Sequence, residues 1–364
     1  MKIFNRKLGT LLAYLVVSTA VLTAANNNFI VTNLDSDMPG VAPITDPNLV
    51  NSWGLTFDAA GNLIVADNGT NLATSYARDG TILNFVVNVA SNPSGVERNP
   101  SSSAFFLPST SFPAEFLFAT EDGTILAYNR NVDPNNAIVV VDRSSINSVY
   151  KGLAIAKSNG QYFIYATDFH NGLVNVFDAS FNFVSSFTDP LIPAGFAPFN
   201  IASINNRLYV TYAKQLAPDN HDDQAGPGNG FIDIFGTDSR FIKRLVSNGA
   251  LDSPWGLALA PKRFGKLGGL LLVGNFGNGV INIYDPLSGK FQGQLRNRDG
   301  VIVLPGLWAI RFDNSLNCHR RTVPTLFFAS GPNCESDGLL GRIVPKVKRP
   351  NHHKGCKRHR PHCR

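Results

Sequence analysis

Glutamate and methionine are scarce in this chain of 364 residues, and charged residues of all kinds make up only 16%. Soluble domains typically carry about 25% charged residues. The four glutamates lie at positions 97, 115, 121 and 335, and there are two methionines. This shortage of strong helix formers argues against a helical bundle. The 32 glycines and 22 prolines indicate many turns, so the composition favours a loop-rich β protein.

Several catalytic signatures are missing. The sequence has no GxSxG nucleophile elbow, no HExxH zinc motif, no P-loop and no GxGxxG that follows a strand. The few glutamates offer no obvious acid–base pair, although Glu121 and Asp168 could still form one. The only N-glycosylation sequon is the NGT at Asn68. Composition and motifs therefore indicate a fold more clearly than a chemistry.

Cysteine is confined to the C-terminal end, at Cys318, Cys334, Cys356 and Cys363. An even number in an exported chain indicates disulfides, with three possible connectivities, of which 318–334 with 356–363 is the simplest. The tail also holds His352, His353, His359 and His362, so it could bind Zn²⁺ or Cu²⁺. No ligand spacing there matches a closed zinc site, so a flexible cationic tail that contacts anionic surfaces is favoured.

The N-terminus has the features of a cleaved signal peptide over residues 1–25. Lys2, Arg6 and Lys7 form a basic start, and the stretch 8–22 carries no charge. Small residues follow at Thr23 and Ala25, as a cleavage site requires. The prediction is a secreted or periplasmic protein. The alternative is an uncleaved N-terminal membrane anchor.

The formal net charge of +6 arises at the two ends. Residues 346–364 hold eight basic residues and no acidic one, and the signal segment holds three basic residues. The body between them is acidic. Nucleic-acid binding by the body is therefore not expected, because it shows no basic stripe.

Six copies of one unit run along the chain. Each begins with a short apolar start, and the starts lie at Trp53, Ser94, Lys151, Phe199, Trp255 and Trp308. The mean step between them is about 51 residues. After each start come a second apolar strand, a Gly/Asn turn and a third strand, as in LLLVGNFGNGVINIYD. The second strands are almost wholly apolar, as buried strands are.

This repeat predicts an all-β fold, a six-bladed β-propeller over residues 26–345, followed by the basic tail 346–364. A TIM barrel would need a helical pattern after each strand, and none is present. The alternating stretch NFIVTNL at 28–34 is predicted to supply the outer strand that the last blade lacks. Closing the ring in this way removes exposed sheet edges. A monomer is expected.

Polar residues end several second strands, where the loops of one propeller face gather. Asp67, Glu121, Asp168 and Asn275 share this column, together with Tyr212 and Gly331. Oxygen ligands from several blades could hold Ca²⁺ near the channel mouth. The alternative is that each side chain satisfies backbone donors in its own turn.

The three tryptophans, Trp53, Trp255 and Trp308, all lie at blade starts. With Tyr212 they are candidates to line a ligand pocket, where an aromatic wall suits sugars or other flat molecules. The alternative is packing between blades.

Blade four carries a long insertion, YAKQLAPDNHDDQAGPGNGF, between its second and third strands. Asp219, His221, Asp222 and Asp223 cluster in it and could bind a divalent metal, with the loop as a lid. A solvated turn that caps the blade is the alternative. His170, in TDFHNG, and His221 are the candidate general bases, although His170 could equally be a turn residue.

Nine stretches in order across residues 29–344 resemble a group of exported, uncharacterised six-bladed propeller proteins related to NHL-repeat propellers. They are FATEDGTI, VYKGLAIA, ATDFHNGLVNVFDASF, PAGFAPFNI, LYVTYAKQ, HDDQAGPGNGFIDIF, LVSNGALDSPWGLALAP, LLVGNFGNGVIN and GLWAIRF. The resemblance implies the fold and export, and it carries over no catalytic residue. The group has GPNDE where this chain has GPNCE, and this difference supports a Cys318–Cys334 bond. The tail also differs from the group's sorting tails.

Three functions stay open at this stage. The first is an exported binding scaffold for a small molecule, glycan or protein on one face. The second is a calcium-dependent lactonase- or esterase-type hydrolase, with Asp67, Glu121, Asp168 and Asn275 around the metal. The third is a surface or matrix component held by its basic tail.

Overall fold

Six sheets follow one another around a ring, and the chain is an all-β, six-bladed β-propeller, as predicted. The computed structural model describes residues 28–313 and 324–346. Each blade has four strands, with the first strand of the blade against the central channel. The loops that lead into the blades and those between second and third strands lie on one face, called here the top face.

The first three blades use strands β3 to β14. Blade one is β3 (Ser52–Phe57), β4 (Leu63–Asp67), β5 (Leu72–Tyr76) and β6 (Ile82–Asn88). Blade two is β7 (Pro93–Arg98), β8 (Phe116–Thr120), β9 (Thr124–Tyr128) and β10 (Ile138–Asp142). Blade three is β11 (Tyr150–Ser158), β12 (Gln161–Asp168), β13 (Leu173–Phe177) and β14 (Phe183–Phe187).

The remaining blades complete the ring. Blade four is β15 (Phe196–Ile204), β16 (Arg207–Lys214), β17 (Gly230–Gly236) and β18 (Phe241–Ser247). Blade five is β19 (Pro254–Leu259), β20 (Leu271–Asn275), β21 (Ile281–Tyr284) and β22 (Phe291–Gln294). Blade six is β23 (Leu307–Phe312), β24 (Leu326–Ser330), β25 (Leu339–Pro345) and the N-terminal strand β1 (Phe29–Ser36), beside which lies β2 (Ile44–Thr45). Short helical turns lie at Asn68–Thr70, Ser144–Ile146, Gly265–Leu267 and Pro332–Glu335.

The ring closes through β1, which pairs antiparallel with β25 from Phe29 opposite Pro345 to Ser36 opposite Leu339. This confirms the closing role predicted for the stretch 28–34. The second strands of blades one and two, β4 and β8, are buried along their whole length, because neighbouring blades cover both of their faces.

The first strands of neighbouring blades approach each other closely around the channel. A Cβ atom on Gly54 would lie 2.6 Å from the carbonyl oxygen of Ser94, and one on Gly256 would lie 2.8 Å from that of Trp308. Real side chains do not tolerate such contacts, so the third position of these two strands requires glycine. The size of the residue at this position therefore limits how closely the first strands of neighbouring blades can approach each other.

Replacing Gly256 by alanine is expected to lower the free energy of unfolding by about 1–3 kcal/mol, because backbone would have to move to admit the methyl group. Urea unfolding followed by circular dichroism measures this. Ala309 occupies the matching position of blade six and carries a Cβ, so Ala309→Gly is the comparison, with an expected loss near 1 kcal/mol at most. An unchanged midpoint for Gly256→Ala would contradict the close approach.

A cavity of about 390 Å³ lies in the channel below the tryptophans. It is lined by the first strands of the blades, and Arg311 and Glu97 face each other across it through two hydrogen bonds of 2.7 and 2.8 Å. Among the described residues, no helix is long and apolar enough to cross a membrane.

Some predictions fall outside the described residues. These are the signal peptide 1–25, nearly all of the tail 346–364 with its four histidines, and Cys318, Cys356 and Cys363. Cys334 is exposed, and no disulfide occurs within 28–313 and 324–346. The disulfide pairings and the tail's roles stay predictions.

Candidate functional site

Lys151 lies at the top mouth of the channel, and its side chain is only 2% exposed. It follows Tyr150 at the start of β11, where other blades place an apolar or small residue. Its ammonium donates to Oε1 of Glu121 and, over 3.3 Å, to Oδ1 of Asp222. The ammonium also lies 5.0 Å from the centre of the Trp53 ring. Burial lowers the pKa of Lys151, but the two carboxylates outweigh it and raise the pKa above its usual value.

Glu121 is held by a chain of hydrogen bonds that begins at Trp53. The Trp53 indole donates to Oδ1 of Asn51 over 2.9 Å, and the Asn51 amide donates to Oδ1 of Asn68 over 3.1 Å. The Asn68 amide then donates to Oε2 of Glu121 over 2.8 Å. Both oxygens of Glu121 are therefore engaged, one by Asn68 and one by Lys151. Because the Asn68 side chain is buried in this chain of bonds, it is not presented for glycosylation.

The insertion of blade four, residues 215–229, brings Asp222 and His221 to the same place. Nδ1 of His221 lies 2.9 Å from Oδ1 of Asp222. This hydrogen bond is the main cause that raises the pKa of His221, and, together with Lys151, it lowers the pKa of Asp222. Asp222 stays mostly exposed, with 66% of its side chain accessible, although it contacts the buried lysine.

The same insertion is fixed to its neighbours on both sides. The Gln215 side chain donates to the carbonyl of Phe169 over 2.6 Å, and Nδ1 of His170 lies 2.9 Å from the carbonyl oxygen of Asp219. On the other side, the Gly226 N–H donates to Oδ1 of Asp252 over 2.8 Å. The loop is thus tied to blades three and five, and His170 has a positioning contact.

Two further carboxyls adjoin the group and lack partners on one oxygen. Oδ2 of Asp223 and Oε1 of Glu335 are buried without a hydrogen bond. Burial raises the pKa of Asp223 to about 6 and that of Glu335 to about 7, and the charges of Lys151 and Asp222 act on both. Glu335 ends a turn of three left-handed residues, Asn333, Cys334 and Glu335, a strained backbone that often marks functional sites. The six residues Glu121, Lys151, His221, Asp222, Asp223 and Glu335 are called the top-face cluster.

The structure unites members of two predicted metal sites. Glu121 was predicted to belong to the channel site, and His221 and Asp222 were predicted to belong to the loop site. In the structure, each of the three residues offers a ligand atom within 4.8 Å of the other two. Within 28–313 and 324–346 this is the only group of three such ligands at that spacing. Asp219 contributes its backbone carbonyl to the loop's attachment.

The other members of the channel column use their oxygens in local hydrogen bonds. Asp67 accepts from the hydroxyls of Ser52 and Thr74, and Asn275 accepts from the N–H of Asp252. Asp168 accepts from five donors, which belong to Ser148, Val149, Asn171 and Asn175. These contacts are those of turn residues. Calcium binding by Asp67, Asp168 and Asn275 stays a prediction. A calcium ion there would have to compete with these donors for the side-chain oxygens.

The three tryptophans fill the top of the channel. The Trp308 ring stacks on Trp53 at 3.7 Å and on Phe276 at 3.9 Å between ring centres, and Trp255 meets it edge-on at 5.8 Å. All three tryptophans are buried, so their faces contact one another. Tyr212 lies in the apolar core with Val210 and Phe231. A ligand role for these rings stays a prediction.

Sequence reasoning did not select Lys151, Asn51, Asn68 or Glu335. A signal existed for Lys151, since a lysine at an otherwise apolar blade start is unusual. Glu335 is one of only four glutamates, and it lies in the GPNCE stretch. Asn51 and Asn68 resemble ordinary loop residues in sequence.

Fold and site together define a six-bladed propeller with a charged centre at its top face. No known family model matches the chain. The uncharacterized protein R648 of Acanthamoeba polyphaga mimivirus is 31% identical over 333 residues, which span 87% of this chain and 79% of R648. The uncharacterized protein L690 of the same virus is 31% identical over 316 residues, or 82% and 81% of the two chains. The chain therefore belongs to the family of these mimivirus proteins.

Solved structures share the fold at low identity. The streptogramin B lyase structure matches with a TM-score of 0.51 and 13% identity, over 88% of this chain and 98% of that one. The GH93 α-L-arabinofuranosidase of Fusarium graminearum matches with 0.52 and 12%, over 87% and 98%. A protein of unknown function from Bacteroides thetaiotaomicron matches with 0.53 and 8%, over 87% and 76%. At these identities the likeness shows the fold alone.

Proposed function

We propose that the protein is a binding scaffold that takes a small hydroxyl-rich molecule or glycan at the top-face cluster. The observation that carries the proposal is the ammonium of Lys151, buried between Glu121 and Asp222. A buried ion pair is weak as a stabilising device, because desolvation offsets most of its attraction. Its place at the mouth of the channel, beneath a long fixed loop, is therefore best explained by recognition.

The ligand class follows from the donors and acceptors. Lys151 only donates, the carboxylates of Glu121 and Asp222 only accept, and His221 can do either. A ligand with several hydroxyl groups satisfies such a mixture, since each hydroxyl both donates and accepts. Asp222 is the most exposed carboxylate of the cluster. Because 66% of its side chain is accessible, Asp222 can accept a hydrogen bond from a ligand hydroxyl without leaving Lys151.

A glycan array and thermal-shift screening with simple sugars and polyols would test the proposal on the full chain. We expect Asp222→Asn and Glu121→Gln each to weaken binding of any compound selected with the wild type by at least about tenfold, the size of one charge-assisted hydrogen bond. The matched control is Asp219→Asn, which changes an exposed carboxylate of the same loop. Retention of full affinity by both cluster variants would contradict the proposed site.

A metal-dependent hydrolase is the second candidate, favoured by the 4.8 Å spacing of Glu121, His221 and Asp222. The ammonium of Lys151 contacts two of these ligands, so a divalent cation would have to displace it. Metal analysis and a lactone and ester screen test this candidate. Metal that Asp222→Asn removes, together with turnover that the same change abolishes, would favour the hydrolase over the scaffold.

We propose further that the chain is exported through residues 1–25 and acts as a monomer. The basic start and the uncharged stretch that follows support export. N-terminal sequencing of the mature protein, with a first residue near position 26, is the expected result. A mature protein that begins at Met1 would contradict cleavage.

A further inference from the structure

The cavity of about 390 Å³ in the channel is separate from the top-face cluster, because the stacked rings of Trp53 and Trp308 fill the channel above it. All six first strands contribute to its wall. Ser203 and Asn205, at the turn that follows β15, also line it and are exposed, so the cavity opens on the face opposite the top face. Its volume lies in the range of small-molecule sites.

Backbone groups form much of the cavity wall. Each first strand lies at one end of its sheet and pairs only with the second strand, so the N–H and C=O groups of its other edge face the channel. The apolar side chains of these strands are packed between blades, and those of Leu55, Val96, Leu153 and Ile310 are at most 4% exposed. The wall therefore offers hydrogen-bond donors and acceptors, which suit a hydrophilic ligand.

Arg311 of β23 and Glu97 of β7 bring two opposite charges to this wall. Their pair is open to the cavity, because 36% of the Arg311 side chain and 16% of the Glu97 side chain are accessible. A guanidinium has five N–H donors. Two of them serve Glu97 and one lies 3.4 Å from the carbonyl oxygen of Leu55, so donors remain for a bound molecule.

We propose that this cavity is a second binding site, which takes a small hydrophilic zwitterion of the α-amino acid class. The ligand's carboxylate accepts from the guanidinium of Arg311, and its ammonium donates to the carboxylate of Glu97. A ligand with both charges is favoured because Glu97 would repel a simple anion and Arg311 would repel a simple cation. Backbone groups of the wall serve the remaining polar atoms of the ligand.

The test is isothermal titration calorimetry of the full chain with glycine, serine, asparagine and glutamine at neutral pH. We expect at least one of these amino acids to bind with one molecule per chain. Its amide, which lacks the carboxylate, and its N-acetyl derivative, which lacks the ammonium, should each bind at least about tenfold more weakly, because each loses a charge-assisted hydrogen bond.

Two substitutions test the assigned residues. Glu97→Gln and Arg311→Lys should each weaken binding of the amino acid by at least about tenfold. The matched control is Glu115→Gln, because Glu115 also belongs to blade two and pairs with an arginine, Arg130, at the exposed surface. This control should bind like the wild type. Asp222→Asn, in the top-face cluster, should also leave binding unchanged, so this site and the proposed function can fail separately.

Three results would overturn the proposal. The first is that none of the four amino acids binds to the wild type at up to about 10 mM. The second is that the amide and the N-acetyl derivative bind as tightly as the amino acid itself. The third is that Glu97→Gln and Arg311→Lys keep full affinity, since the ion pair would then serve the fold alone. If these variants do not fold, the wild type decides through the two derivatives.

Discussion

Lys151→Met is expected to lower the free energy of unfolding by about 3–5 kcal/mol, because it leaves the buried carboxylate of Glu121 without its cation. Only 8% of the Glu121 side chain is exposed, so water cannot replace the lysine. Denaturant unfolding at neutral pH measures the loss. The effect should shrink in the double variant Lys151→Met/Glu121→Gln, which removes the unpaired charge as well.

The control for this change lies on the same strand. Lys157 of β11 is exposed, and its ammonium lies 4.6 Å from the centre of the Tyr162 ring, so Lys157→Met should change the stability by less than about 1 kcal/mol. Equal losses for the two lysine variants would contradict the buried pair. A double variant no more stable than Lys151→Met would contradict the coupling between Lys151 and Glu121.

Trp308→Ala is the second change with a large expected effect, a loss of about 3–5 kcal/mol. The Trp308 ring lies between Trp53 and Phe276, so its removal would leave a cavity between two flat faces at the centre of the ring of blades. Urea unfolding gives the magnitude, and near-ultraviolet circular dichroism reports the loss of stacking.

Trp308→Phe keeps an aromatic face and should cost clearly less than the alanine change. The surface comparison is Leu287→Ala, because Leu287 is 80% exposed and should contribute almost nothing. A loss below about 1 kcal/mol for Trp308→Ala would show that the aromatic stack does not hold the channel closed.

The propeller could be predicted because its signal repeats. Each blade start, apolar second strand and Gly/Asn turn recurs six times, and the closing strand 28–34 was recognisable from its alternation. These patterns are formed by residues that are close together in the sequence, so the repeat period and the alternation of apolar and polar residues can be read from the sequence directly.

The site was only half visible for a physical reason. The sequence predicted Glu121 and Asp222 as ligands of two separate sites. They lie together because residues 215–229 cross the mouth of the channel, and this path depends on contacts with Phe169 and Asp252. Sequence spacing does not encode such contacts. Lys151 was missed because its burial is created by residues from blades one, two and four.

The course of β1 and β25 determines how the molecule can be held. Residue 28 and residue 346 lie beside each other, joined by a hydrogen bond of 2.8 Å, at the end of blade six away from the top face. Both chain segments beyond the ring start from that one point. A link to a wall, a membrane or a particle through either segment would therefore leave the ring from the face opposite the charged mouth.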